Sequence, residues 1–411
     1  MKVTGIVAEY NPFHNGHKYQ IEQAKKLTGA DYVVVAMSGN FTQRGTPAIV
    51  NKYDRAKMAL LNGADLVLEI PYCYACSSAE YFAKGAMSLF EKLGVVDAIC
   101  FGSECGNINT LIAIAEILAN EPEEYKKELR LKLQKGYSFP AARSSALLAA
   151  LPEFATHSTI LSSPNNILGV EYIKALFKLK SKIAPYTIER IGSGYHDYKL
   201  SKNFSSAIAI RQALMSESSL NNIKAQMPEN CYEILKEGFG KNTPVFQDDF
   251  TALLKYKMLL LEENGYAQFA DISEDLSNKM KKQLFTCSDI TSFCEQLKTK
   301  DLTHSRITRS LTHILLDLTK EDFDTYLKEG TVFYGRVLGF KKEAAPLLGE
   351  IKKCSSLPLI TKVSEGENLL SDVGLMQFQK DIQTAHIYEA VAGTKFGSEM
   401  KHEYQREIIK C

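Results

Sequence analysis

The sequence has no excess of charge of either sign: Lys plus Arg total 49 against 48 Asp plus Glu, a formal net charge of +1. That balance excludes a histone-like polycation, but it allows an RNA-binding protein whose basic residues gather on one face. No window reaches the ~18 apolar residues that span a bilayer, so no membrane association is expected. The opening MKVTGIVAEYNPFHNGH lacks a charged segment followed by an apolar stretch and a small-residue cleavage site; no secretory signal is expected. The nine cysteines are an odd number in a long chain, which argues against a disulfide framework and for reduced thiols in the cytoplasm. There is no internal repeat and no low-complexity segment. What is present is the composition of a folded protein, 45% hydrophobic and 24% charged over 411 residues. That excludes disorder as the main state and supplies chain for more than one domain of ~100–200 residues.

The first half alternates short apolar runs with helical patterns. Val3 to Ala8, Tyr32 to Met37, Leu66 to Ile70, Ala98 to Phe101 and Tyr186 to Ile191 read as strands; Tyr19 to Leu27, Arg55 to Leu61, Ala79 to Leu93 and Leu111 to Ala119 read as helices. Val- and Ile-rich strands with little polar alternation predict a parallel sheet buried on both faces, hence βαβ units in a doubly wound α/β fold. Ligands in such sheets bind beyond the carboxyl ends of the strands. The loops there, at 11–17, 38–45, 102–106 and 192–197, are rich in polar residues and Gly. A polar, turn-prone stretch from Ser216 suggests a boundary: residues 1–215 as a catalytic domain, residues 216–411 as a mostly helical region. Phe250 to Glu262, Glu274 to Phe285, Ile290 to Leu297 and Ser305 to Leu318 are its predicted helices, and Val332 to Phe340 and Leu357 to Val363 can add one or two strands.

The strongest local signal is a strand, then Asn11-Pro12-Phe13-His14-Asn15-Gly16-His17, then an amphipathic helix. Histidines three apart at a helix start share a face, beside backbone N–H groups and a dipole end that suit phosphate. Gly16 lets a planar base approach the backbone. A second signal, Ser205-Ser206-Ala207-Ile208-Ala209-Ile210-Arg211, opens another helix. Its serines can simply cap, yet Arg211 can reach back to an anion at the same helix start. Two anion-binding helix starts suggest a triphosphate held between them.

His14-Asn15-Gly16-His17 resembles the H-x-G-H signature of the nucleotidyltransferase superfamily, and Ser205 to Arg211 resembles its second, serine-and-arginine motif. More specifically, GIVAEYNPFHNGH, Ser38-Gly39-Asn40-Phe41 with Gln43-Arg44-Gly45 and Pro47-Ala48, Asp65-Leu66-Val67 with Glu69 and Pro71, Phe101-Gly102-Ser103-Glu104 and Ser163-Pro164-Asn165-Asn166-Ile167-Leu168-Gly169 together resemble the bacterial tRNA(Met) cytidine acetate ligase family. The likeness is dense to about Leu214 and thinner through Ser305-Arg306-Ile307 with Arg309 and Arg336-Val337-Leu338-Gly339-Phe340. It implies a ligase that joins acetate to the N4 amino group of the wobble cytidine of elongator tRNA(Met), through acetyl-adenylate formed from ATP.

The resemblance also implies roles. His14, His17 and Arg211 would be catalytic. ATP would be cradled by Val7, Ala8, Glu9, Tyr10, Asn11, Pro12 and Phe13, and on through His14, Asn15, Gly16, His17, Lys18, Tyr19 and Gln20. Gly102, Asn165, Arg190, Ser205 and Ser206 would complete the nucleotide site, with Asn166 the alternative to Asn165. Mg²⁺ is expected with ATP, no structural metal is expected, and no obligate protein partner is evident. Arg306, Arg309, Lys281 and Lys282 are candidates for an RNA-facing surface. Cys73-Tyr74-Ala75-Cys76 has metal-ligand spacing but no second ligand pair, so structural cysteines are expected. Gln43-Arg44 and Lys52 to Arg55 stand after a strand, where surface charge and substrate contact are equally expected. The short motifs alone fit a small-molecule adenylyltransferase acting on a phosphorylated metabolite as well; a non-catalytic ATP-sensing RNA-binding module is disfavoured by intact His14, His17 and Arg211.

Overall fold

The apolar runs of the first half become strands β1 (Val3–Ala8), β2 (Tyr32–Ser38), β3 (Leu66–Ile70), β4 (Ala98–Ser103) and β5 (Ala184–Glu189) in the computed structural model, which describes residues 1–151, 160–190, 205–216 and 220–411. All five pair in parallel, in the order β5-β4-β1-β2-β3. Parallel neighbours need crossovers, and helices Asn15–Thr28, Lys52–Leu61 and Ala79–Leu93 supply the first three. Side-chain alternation along β2 shows why the run is apolar throughout. Val33, Val35 and Met37 face one core with Ile21 and Ala24 of the first helix; Val34 and Ala36 face the other with Phe82, Ala86 and Leu89. Gly5 of β1 allows the helix on that second face to approach closely, since a Cβ there would lie 2.8 Å from the Phe90 ring. From β1 the chain builds outward through β2 and β3, then crosses back to add β4 and β5 on the other side of β1, which makes the carboxyl end of β1 the switch point of the sheet. Ile191 and the 192–197 loop lie outside the described residues.

The second half is mostly helical, as expected, but it also enters the sheet. Strand β6 (Gly335–Phe340) runs antiparallel to β3, and β7 (Leu359–Ile360) and β8 (Ile409–Lys410) each pair in parallel with β6. The apolar core on the Phe82 face continues without a break into Phe250, Leu254, Leu276, Phe293, Leu311 and Ile314. The sheet and its core therefore cross the boundary at residue 215. A buried charge cluster joins the halves as well. Lys52 Nζ lies 3.0 Å from both Glu69 and Glu403, and Arg336 pairs with the same two carboxylates. Cys73 and Cys76 are buried, and burial pushes both thiols upward rather than toward the thiolate a metal needs. No helix among the described residues is long and apolar enough to cross a membrane.

Candidate active site

The loop after β1 is held by its own side chains before the helix begins. Asn11 Oδ1 accepts the Ile49 N–H at 2.9 Å, and Phe13 is fully buried in the core. Tyr10 has φ +50° and the Asn11–Pro12 peptide is cis. His14 then caps the Asn15–Thr28 helix in a reciprocal arrangement made of imidazoles. His14 Nδ1 accepts the Gly16 N–H at 3.1 Å, and His17 Nδ1 accepts the His14 N–H at 3.2 Å. The two rings stack with centroids 3.7 Å apart. Gly16 is required by this cap itself: a Cβ there would stand 2.9 Å from the His14 ring.

That hydrogen bonding fixes the tautomers. A nitrogen accepting a backbone N–H carries no proton, so each neutral ring keeps its proton on Nε2. Burial, then Arg190 and Arg211, lower the His14 pKa to about 3; burial, then His14 and Arg190, hold His17 well below its ordinary value. Both histidines are therefore neutral donors at physiological pH.

Two adjoining cavities open over this helix start, of about 1160 and 580 Å³ including their open mouths, and both are lined by His14, His17, Gln20, Gly102, Arg190 and Ser206. Gly102 lies beneath Arg190, 3.3 Å from a built Cβ to Cγ. Ser206 caps the Ala207–Ser216 helix by accepting the Ala209 N–H at 3.1 Å, while Ser205 lines the smaller cavity. Arg211 lines the larger one and donates to the Asn11 carbonyl at 2.7 Å, so the two motifs touch directly. Asn165 also lines it. Asn166 does not: it is buried, accepting the Glu104 and Cys105 N–H groups, while Glu104 in turn accepts from Asn165 and from the Asn166 N–H. Neighbouring asparagines thus divide the work, one facing the cavity and one holding the loop after β4.

Of the cradle, Val7, Ala8, Glu9, Tyr10, Asn11, His14, Gly16, His17, Tyr19 and Gln20 line the cavities. Pro12, Phe13, Asn15 and Lys18 do not. Phe13 packs inward, Lys18 is exposed, and Asn15 donates to the Ala225 carbonyl at 2.9 Å, tying the motif to the second half. Lys52 and Arg55 are not substrate contacts, because both are fully buried. Arg55 instead donates to the carbonyls of Glu9, Ser38, Gly39 and Val50. Gln43 and Arg44 do reach the larger cavity, with Thr42 and Thr46. Its apolar wall of Phe82, Phe101, Leu168 and Tyr172 was not singled out from sequence, because aromatic residues on helices and strands read as ordinary core.

Of the Arg306–Arg309 pair, Arg309 is buried and Arg306 partly exposed. Arg309 is 8% exposed and pairs with Asp271 at 2.8 Å, and Arg306 Nε points at the Asp271 carbonyl, 3.4 Å away. Gly45, with φ +82°, lies against this helix: a Cβ there would stand 2.5 Å from the Arg309 backbone nitrogen. Lys281 reaches the Glu263 carbonyl at 3.2 Å, and Lys282 is exposed. Among the described residues no group of three or more His, Cys, Asp or Glu could hold a metal ion.

Comparison with known proteins identifies the family and the fold. The family model for HIGH Nucleotidyl Transferase matches residues 1–403. The tRNA(Met) cytidine acetate ligase of Clostridium novyi is 42% identical over 391 residues, 95% of this chain and 96% of its own. That of Acetivibrio thermocellus is 44% identical over 369 residues, 89% of each chain. The apo crystal structure of Thermotoga maritima TmcAL superposes with a TM-score of 0.94 at 34% identity, covering 100% of this chain and 99% of its own. The same protein bound with alpha-thio ATP gives 0.92 at 33% identity, with the same coverage. Fold, motif pair and near-full-length identity converge, and the chain belongs to the tRNA(Met) cytidine acetate ligase family of HIGH nucleotidyltransferases.

Proposed function

We propose that this protein is an ATP-dependent ligase that acetylates N4 of the wobble cytidine of elongator tRNA(Met). The observation that carries the reading is the pair of neutral imidazoles, each with Nδ1 engaged and Nε2–H free of that bond, at a helix start facing Arg190 and Arg211 across one cavity. This is a preorganised set of donors for a triphosphate. Acetate attacks the α-phosphorus, giving acetyl-adenylate and pyrophosphate; the cytosine amino group then takes the acetyl group and AMP leaves. His14 and His17 donate to the phosphates as charge develops. Arg211, anchored on the Asn11 carbonyl, and Arg190 offset phosphate charge, and Ser205 and Ser206 receive the pyrophosphate. Asn165 holds the nucleoside. The backbone from Val7 to Gln20 cradles ATP, with Gly102 leaving room beside Arg190. Mg²⁺ bound with the triphosphate would be held largely by phosphate oxygens and water and would offset part of the phosphate charge.

In this reading residues 1–215 carry the chemistry in the cytoplasm, and residues 216–411 meet the tRNA, with exposed Lys282 and partly exposed Lys281 and Arg306 on that surface. Arg309 serves it indirectly, by holding its helix through Asp271. The test supplies isotope-labelled acetate, ATP and tRNA and analyses the nucleosides by mass spectrometry. Label should appear in N4-acetylcytidine with release of pyrophosphate. Label delivered from acetyl-CoA without ATP, or an adenylylated metabolite as the product, refutes the proposal.

A further inference from the structure

The second step needs a proton acceptor, and the histidines cannot provide one. Each Nδ1 is already an acceptor for a backbone N–H, and each Nε2 bears the ring's proton. The cytosine amino group must nevertheless shed a proton when it becomes an amide. One carboxylate lines the larger cavity among the described residues, that of Glu9, immediately after β1.

Glu9 is held rather than loose. Its Oε1 accepts the Gln43 N–H at 2.8 Å, the Gln43 side chain is fixed on the Ser77 carbonyl at 2.8 Å, and the Glu9 carbonyl receives the buried Arg55 guanidinium. A carboxylate has about four acceptor positions, and the Gln43 N–H fills one of them. The same cavity carries the apolar wall of Phe82, Phe101, Leu168 and Tyr172, suited to the faces of a planar base. The negative charge of Glu9 is felt at Tyr172, whose hydroxyl is pushed further upward by it after burial. His14 and His17 line that cavity too, so an activated acyl group on the phosphate side and a base against the apolar wall share one space.

We propose that Glu9 is a catalytic residue of the acetyl-transfer step, accepting a hydrogen of the cytosine N4 amino group and then its proton. This rests on the ligase reading above. Carboxylates are the natural acceptors for cytosine N4 hydrogens. As the N4–carbon bond forms, the carbon–oxygen bond of the mixed anhydride breaks, AMP leaves with that electron pair, and the N4 proton passes to the Glu9 carboxylate and on to solvent. Glu9 thereby selects an exocyclic amine and activates it.

The experiment starts from synthetic acetyl-adenylate and tRNA in single turnover, so that the first step does not enter. Glu9→Gln should transfer acetyl groups ~10²–10⁴-fold more slowly, the usual contribution of a general base. Glu9→Ala should be similarly slow and recover in proportion to added formate, which a merely misfolded variant would not do. Transfer by Glu9→Gln at the wild-type rate, or a slow Glu9→Ala that formate leaves unchanged, overturns the assignment. Failure of the wild-type protein itself to transfer from acetyl-adenylate removes the ligase reading, and this inference with it.

Discussion

Arg55 separates a structural from a substrate-binding explanation of the residues after β2. Its guanidinium donates to the Val50 carbonyl at 2.8 Å, to those of Glu9 and Ser38 at 2.6 and 3.0 Å, and to that of Gly39. It therefore closes the ends of β1 and β2 on each other beneath the cavity. Burial lowers its pKa to about 10, so the guanidinium still carries its charge at neutral pH. Arg55→Lys keeps some length but loses the planar fork, leaving at least two of the carbonyls without a donor. At ~1–3 kcal/mol for each buried group left unpaired, the loss is ~2–6 kcal/mol, a large share of a typical 5–15 kcal/mol total. With ~2–4 °C per kcal/mol for chains of moderate size, the melting temperature should fall by roughly 4–24 °C in calorimetry. A variant that melts like the wild type but binds substrate weakly would refute the structural role and make Arg55 a substrate contact.

The Asp271–Arg309 pair predicts a second stability effect. Asp271→Ala should cost ~2–4 kcal/mol by urea denaturation, below the ~3–5 of a fully buried pair because the Asp271 side chain is 26% exposed. Adding Arg309→Met should restore part of the loss, and no recovery would mean that the arginine contributes through packing alone. His14 predicts a pH effect whose sign follows from its depressed pKa of about 3. The unfolded histidine titrates near ~6.5, so below that pH the unfolded state holds the extra proton. The stability is present above ~6.5 and is lost as pH falls toward 3, at up to ~1.4 kcal/mol per pH unit. His14→Gln should flatten the dependence between pH 7 and 5 in denaturant titrations, and an unchanged slope would contradict the neutral, buried imidazole.

The parallel strands were readable because nothing competes with a Val- and Ile-rich run between turn residues and amphipathic helices; the predicted and observed bounds of β1 and β3 coincide. Less visible was the return of residues 335–340 to the edge of β3. Antiparallel pairing across some 270 residues of sequence leaves no local mark, and Arg336 in that strand argues for exposure until its partners Glu69 and Glu403 are known. The 25-residue helix Asp372–Phe396 was missed for a related reason. It is packed by several neighbours, so its buried positions, Phe378, Asp381, Tyr388 and Ala392 among them, follow no single apolar stripe.

At the cavity the sequence was informative where backbone chemistry is local and misleading where charge is paired at a distance. His14, Gly16 and His17 make their cap within four residues, and a strand–loop–helix pattern is enough to locate it. Arg309, Lys52 and Arg55 carry the same formal charge as a phosphate-binding residue, but their partners lie at Asp271, at Glu69 and Glu403, and on four carbonyls. A basic residue after a strand identifies a ligand contact only when nothing inside the fold has already claimed it. The same test favours Glu9, which its motif neighbours overshadowed. One of its oxygens is committed to a backbone N–H, and a carboxylate with acceptor positions to spare beside an apolar wall is what an exocyclic amine requires.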